Sequence, residues 1–179
     1  VSVLSSQRHN DFIDGARELF DCAAQGRIDA FFLGGGQIDG QANVNLVGLG
    51  DYPELDVRFP GTYGSAYLYF LVPRVILFRQ EHIRRVMVPK VDFISAPGVS
   101  PPGLYRPGGP HALVTERCVF SFDRAAARFC LESVHAGESA ESVHDNTGFD
   151  FDCPAKVPQT PPPSPEILAL IRGVVGADI

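Results

Sequence analysis

Gly34, Gly35 and Gly36 close an apolar run, and Gln37, Asn43 and Asn45 follow them closely. Residues without Cβ let a ligand approach the backbone, and neutral amides beside it add donors and acceptors. A second glycine-bearing loop, Gly61 to Gly64, stands before a helix expected over Ser65–Leu71. Unpaired backbone N–H groups at a helix start suit an anion or a developing oxyanion. On spacing alone a tight glycine turn with surface amides is the favoured reading of the first stretch, because a bare glycine triplet is an unspecific motif.

Arg79, His82, Arg84, Arg85 and Lys90 form the densest basic cluster of the chain. It reads either as a solvated basic turn or as a contact for phosphates or a partner subunit. Glu81 and Glu116 are expected to be held in structural ion pairs, so no catalytic nucleophile is assigned. Cys22, Cys118, Cys130 and Cys153 lack CxxC spacing and a histidine cluster, so no metal site is expected. All four are read as buried free thiols, with Cys118 and Cys130 on neighbouring strands of one hairpin.

The elements that position these residues follow from periodicity. Asn10–Gln25 is expected to form an amphipathic helix, capped by Asn10 or Asp11, with Phe12, Ile13, Ala16, Leu19, Phe20 and Ala23 on one face. Ile28–Leu33 reads as a strand covered on both faces, as in a parallel sheet, so the glycines lie at its carboxyl end where such sheets bind ligands. Ala42–Gly48 is expected to be extended. Strands are predicted at Val57–Phe59, Val75–Phe78, Val91–Ser95, Ala112–Thr115, Cys118–Asp123, Ala127–Val134 and Phe149–Phe151. Ala96–Pro110, with five prolines and four glycines, is a long ordered loop that could serve as a lid. Short helices are expected at Ser139–Asp145, capped by Ser139, and at Pro165–Val175, with proline at its first position. The predicted class is α/β, a mainly parallel open sheet flanked by helices with an antiparallel hairpin at one side. A helix feeding the first parallel strand normally crosses over from an earlier strand, and none precedes it, so the chain reads as lacking an N-terminal portion.

With 179 residues, 45% of them hydrophobic, the chain can bury one core, and residues 1–179 read as a single domain. A net charge of −6 argues against a nucleic-acid backbone as partner. The sequence has no run of apolar residues long enough to span a membrane and no secretory pattern at its start, so a soluble, cytoplasmic protein is expected.

The string from Phe32 to Tyr52, FLGGGQIDGQANVNLVGLGDY, resembles the B (β) subunits of family I CoA-transferases of the glutaconate CoA-transferase type. The resemblance continues collinearly through Arg58–Ala66, Arg79–Arg85, Val91–Gly98, Pro107–Glu116, Cys118–Asp123 and Asn146–Phe151. It implies a CoA-transferase subunit that works with a homologous A (α) subunit in a heterodimer or higher assembly. Its substrates would be an acyl-CoA and a small carboxylic or dicarboxylic acid, with coenzyme A thioester as substrate and no permanently bound cofactor. The family's reaction runs through a glutamate carboxylate, an anhydride and a glutamyl-CoA thioester. That glutamate would lie before Val1.

By the same resemblance Gly35, Gly36 and Gln37, with Asn43 nearby, line the CoA-thioester site. Gly61, Thr62, Tyr63, Gly64 and Ser65 match a loop that supplies oxyanion donors and touches CoA. Tyr63 stands where the family has glycine, Ala66 where it has an acidic residue, and the family's Tyr-Gly-Asn is Gln41-Ala42-Asn43. A tyrosine there would narrow the acyl pocket or donate a hydrogen bond to the oxyanion. These departures keep two other readings open: a CoA-thioester hydrolase or decarboxylase on the same scaffold, and a non-catalytic structural subunit.

Overall fold

Asp14 opens the first helix of the computed structural model, which describes residues 14–175. Its carboxylate accepts the Arg17 N–H at 3.3 Å and so satisfies one orphan donor of helix α1, Gly15–Ala24. The expected helix positions Asn10 to Ile13, including the caps Asn10 and Asp11, lie outside the described residues. Leu19, Phe20 and Ala23 turn toward the core as the helical period requires.

The chain then enters strand β1, Ala30–Gly34, and passes two small ribbons. In the first, β2, Gln37–Ile38, pairs antiparallel with β3, Val44–Asn45. In the second, β4, Gly48–Leu49, pairs with β5, Val57–Arg58. Helix α2, Ser65–Leu71, has the predicted bounds, and Val72 and Pro73 end it. Strands β6, Arg74–Arg79, β7, Pro110–Thr115, β8, Cys118–Asp123, and β9, Arg128–Val134, complete the main sheet.

That sheet has the order β1-β6-β7-β8-β9. The first three strands are parallel, and β7, β8 and β9 form an antiparallel meander. The predicted α/β class, with parallel strands and an antiparallel hairpin at one side, is the observed one. Helix α3, Ala140–Asn146, is closed by a capping box between Ser139 and Ser142. Helix α4, Pro165–Leu170, starts at Ser164 and continues as a π-helical turn, Ile171–Val175.

One face of the sheet carries the core. Leu33, Val75, Leu77, Leu113, Phe120 and Leu131 point into it, joined by Tyr69 from α2 and Val143 from α3. Phe120, Phe129 and Phe149 interlock there, with Phe129 and Phe149 stacked at 5.5 Å. The opposite face differs from the expectation of a strand buried on both sides. Phe32 is 62% exposed and Phe78 48% exposed, their rings edge-to-face at 6.4 Å, because no described helix packs over them.

Two predicted strands are absent. At Val91–Ser95 the first donors go to side chains, Val91 N–H to Asp39 Oδ2 and Asp92 N–H to Gln37 Oε1, and backbone pairing is confined to the end, where Ser95 N–H donates to Val44 O and Ala96 bridges Val44. Phe149–Phe151 contributes aromatic rings rather than a ladder, and pairing is limited to a bridge between Cys130 and Asp152. The proline-rich loop is strapped down rather than free. Arg106 donates Nε to Gly108 O at 3.1 Å, Nη1 to Pro97 O at 2.9 Å and Nη2 to Tyr69 O at 3.0 Å. Its guanidinium also lies 5.0 Å from the centroid of the Tyr69 ring. Of the cysteines, only Cys118 is buried, and burial pushes its thiol up to about 12. Cys118 and Cys130 do lie on adjacent strands, facing Val134 and Ser121 respectively, and both are free.

Candidate functional site

β1 and β6 run parallel, so their carboxyl ends and that of β7 open on the same edge of the sheet. A cleft of about 1010 Å³ lies there. Gly34, Gly35 and Gly36 line it at and beyond the end of β1, Phe78 to Glu81 at and beyond the end of β6, and Glu116 after β7. Leu46, Leu49, Phe59 and Pro60, from the small ribbons and the chain that follows β5, supply an apolar wall. The sequence expectation that the glycines mark the ligand edge of an α/β sheet matches this placement.

The missing Cβ atoms are used by the protein itself. A Cβ on Gly35 would stand 2.5 Å from Val44 Cγ1, and one on Gly36 would stand 2.2 Å from Phe59 Cε2, clashes that no side chain tolerates unmoved. The turn must be bare for the apolar wall to close against β1. A Cβ on Gly34 would meet Phe78 at an ordinary 3.5 Å.

Gln37 and Asn43 look inward. Gln37 Oε1 accepts from Asn45 Nδ2 at 2.8 Å and from Asp92 N–H at 3.0 Å. Asn43 donates Nδ2 to Asp39 Oδ2 at 3.1 Å and accepts the Gly98 N–H at 3.1 Å. Both are buried and outside the lining of the cleft, so their amides fasten loops to one another.

The second loop is separate. Gly61 and Gly64 have φ of 104° and 74°, and between them Tyr63 is held at 38°, a left-handed conformation costly for a residue with Cβ. The Tyr63 ring lies 6.0 Å from Phe20 of α1 and is 68% exposed, outside the lining of the cleft. A Cβ on Gly64 would meet the Phe20 ring at 2.4 Å, which fixes this loop against α1. Ser65 starts α2, its N–H donating to Thr62 O, and its Oγ is buried without a hydrogen-bond partner. The Gly61 N–H donates to Leu46 O at 3.1 Å and ties the loop to the cleft wall. The structure therefore brings Gly35 and Gly36 to the cleft and sets Thr62, Tyr63, Gly64 and Ser65 beside it.

The basic cluster divides. Arg79 and Arg85 line the cleft and share Glu81, which is an ion-pair residue as expected. The Arg85 hydrogen bond, with Arg79 adding to it, holds the Glu81 carboxyl below its ordinary range. Arg84 Nε donates to Asp145 O at 2.8 Å. His82 is not a surface cation. It is fully buried, with Nδ1 2.8 Å from Thr115 Oγ1 and Nε2 2.9 Å from Thr147 Oγ1, and burial pushes its pKa down to about 4. Glu116 departs from expectation too: it accepts the His82 backbone N–H at 3.2 Å and makes no ion pair among the described residues. Arg117 instead takes Glu138, through Nη1 to both carboxylate oxygens at 2.9 and 2.8 Å. Sequence reading missed Arg106 and the buried role of His82, since a lone arginine in a proline-rich loop and a histidine among arginines give no periodic signal.

Among the described residues no cluster of three or more His, Cys, Asp or Glu could hold a metal ion, and no helix is long and apolar enough to cross a membrane.

The family model for coenzyme A transferase matches residues 3–146. The chain is 34% identical over 148 residues to the B (β) subunit of glutaconate CoA-transferase from Acidaminococcus fermentans, covering 79% of this chain and 54% of that protein. Against the corresponding B (β) subunit of 3-oxoadipate CoA-transferase from Pseudomonas knackmussii it is 33% identical over 156 residues, 83% of this chain and 59% of the other. It thus spans between half and two thirds of the length of these relatives. The crystal structure of Rhodococcus jostii RHA1 IpdAB superimposes with a TM-score of 0.81 at 30% identity, over 88% of this chain and 64% of that one. The decarboxylase AibA/AibB does so with 0.75 at 28% identity, over 87% and 61%. Family model, sequence identity and structural superposition agree, and the chain belongs to the coenzyme A transferase family, among its B (β) subunits.

Proposed function

We propose that this chain is the B (β) component of a heteromeric CoA-transferase that moves CoA between an acyl-CoA and a small carboxylic or dicarboxylic acid, together with a homologous A (α) subunit. The observation that supports it is the glycine-floored cleft at the carboxyl edge of the parallel strands, with an apolar wall on one side and arginines on the other. A cleft of about 1010 Å³ takes an acyl chain and part of a pantetheine arm. In this reading Gly35 and Gly36 bound the thioester site, and Gln37 and Asn43 hold its loops. Gly61, Thr62, Tyr63, Gly64 and Ser65 flank it on the side of α1. The acyl-CoA is a substrate rather than a resident cofactor, the chain works as one domain, and the assembly is cytoplasmic.

A second reading, hydrolysis or decarboxylation on the same scaffold, is favoured by Tyr63, which departs from the family's glycine and occupies left-handed backbone. The two are separated by incubating the chain and its α partner with glutaconyl-CoA, whose double bond lets a decarboxylated carbanion conjugate with the thioester, and isotopically labelled acetate. Label appearing in acetyl-CoA without release of free thiol supports transfer. Stoichiometric thiol release without labelled thioester overturns it in favour of hydrolysis, and loss of carbon dioxide from an intact thioester does so in favour of decarboxylation.

A further inference from the structure

Arg79 ends β6 in the wall of the cleft, two positions before Glu81. Glu81 receives two guanidinium groups, Arg85 closely and Arg79 at 3.4 Å. One carboxylate neutralises one guanidinium, so this trio brings one net positive charge to the wall. Glu116, the other carboxylate in the lining, accepts the His82 N–H and pairs with neither arginine, so the lining as a whole sets two guanidiniums against two carboxylates and the positive charge is local to the trio. The Arg79 Nε is shielded from solvent and has no acceptor, so this rotamer leaves a donor unsatisfied that a turn of the guanidinium toward the cleft would expose. Beside the bare Gly34–Gly36 turn the lining is apolar, with Leu46 and Phe59.

We propose that Arg79 is the specificity-determining residue for the acid, anchoring the free carboxylate of a dicarboxylic substrate whose other end reaches the Gly34–Gly36 turn. This rests on the reading of the cleft as the acyl-CoA site. A guanidinium binds a carboxylate through two parallel charge-assisted hydrogen bonds, stronger than the long contact Arg79 makes with Glu81. Arg85 keeps Glu81 neutralised when Arg79 turns to the ligand. The methylenes between two carboxylates suit the apolar wall, whereas a monocarboxylate would leave Arg79 without its ligand. The anion could instead be a CoA phosphate, and the two sources give different results.

The test titrates the full chain with glutarate, butyrate and CoA, followed by ligand-observed NMR. Glutarate should bind about tenfold or more tighter than butyrate. Arg79→Gln should abolish that preference while leaving CoA affinity within about twofold. Glu81→Gln should tighten glutarate, since it frees both guanidiniums, and a variant that merely misfolds cannot do this. The proposal is overturned if Arg79→Gln keeps the preference, if Glu81→Gln weakens glutarate, or if the wild type does not discriminate. An Arg79→Gln variant that loses CoA affinity and keeps the preference assigns Arg79 to a phosphate and also overturns it. Failure of the wild type to bind CoA counts against the acyl-CoA reading alone, because glutarate preference is read independently.

Discussion

His82 Nε2 lies 2.9 Å from Thr147 Oγ1, and the same hydroxyl donates to Val143 O at 2.7 Å. A hydroxyl has one hydrogen, so Thr147 accepts from Nε2–H. Nδ1 is then the acceptor, receiving the Thr115 hydroxyl at 2.8 Å. The pair fixes the tautomer of a neutral imidazole and joins the β6 exit, the β7 exit and α3. The cleft residues Glu81 and Glu116 stand on either side of this joint.

Stability should fall as pH drops through the range where an unfolded histidine protonates. His82 has its pKa lowered from 6.5 to about 4, first by burial and then by the charge of Arg117. The unfolded state binds the extra proton, so the contribution is full above about pH 6.5 and is lost as pH falls toward about 4. Between about pH 7 and 5 the loss is about 2 kcal/mol. Denaturant unfolding at these two values should show it, and His82→Gln should flatten the difference; an unchanged slope in the variant would rule out His82 as its source.

Arg106→Met should release the loop between β6 and β7. Removing the guanidinium strands the Pro97 and Tyr69 carbonyls, leaves Gly108 O to Arg124 alone, and ends the contact with the Tyr69 ring. The cost is roughly 2–3 kcal/mol. Leu104 and Tyr105 are already exposed at the loop tip, so limited proteolysis should cut there faster in the variant.

The sequence was legible where local chemistry and tertiary pairing agree. Ser65–Leu71, bounded by Gly64 and Pro73, and the alternating Cys118–Asp123 keep their predicted bounds. Val91–Ser95 failed because Asp39 and Gln37, some fifty residues earlier, capture the N–H groups that a ladder would use. Strand patterning cannot see a side-chain acceptor so far away in sequence. In the site, the glycine turn was legible as a turn at a sheet edge. The inward rotation of Gln37 and Asn43 was not, since amides look alike in sequence whether they face a ligand or a loop.

Tyr63 separates backbone strain from side-chain contact. Tyr63→Phe should change stability by no more than about 0.5 kcal/mol, because its hydroxyl has no hydrogen bond among the described residues. Tyr63→Ala and Tyr63→Gly both lose the ring on Phe20, but only alanine keeps a Cβ at a φ of 38°. The glycine variant should therefore be the more stable of those two by about 1 kcal/mol. Neither should change which acid the assembled enzyme prefers, as the ring lies outside the cleft lining; altered selectivity in Tyr63→Phe would restore the tyrosine as a gate.

Alanine substitutions across the glycine turn give a graded test of what the bare backbone is for. If the glycines serve only close approach of a ligand, all three variants should fold alike and differ in CoA binding. The geometry predicts a steep order in stability instead. Gly34→Ala should be near neutral, since its Cβ meets Phe78 at 3.5 Å. Gly36→Ala, with Phe59 Cε2 at 2.2 Å, forces a half-buried ring to swing and should cost about 1–3 kcal/mol. Gly35→Ala should be worst, because Val44 Cγ1 at 2.5 Å belongs to a stiff, fully buried side chain with nowhere to move. The Gly36→Ala/Phe59→Ala double variant removes the obstructing ring, so its loss should fall short of the sum of the singles by about 1–2 kcal/mol. Additive losses would mean that the ring and the turn do not compete for the same space, and the apolar wall would then owe its position to something other than the missing Cβ of Gly36.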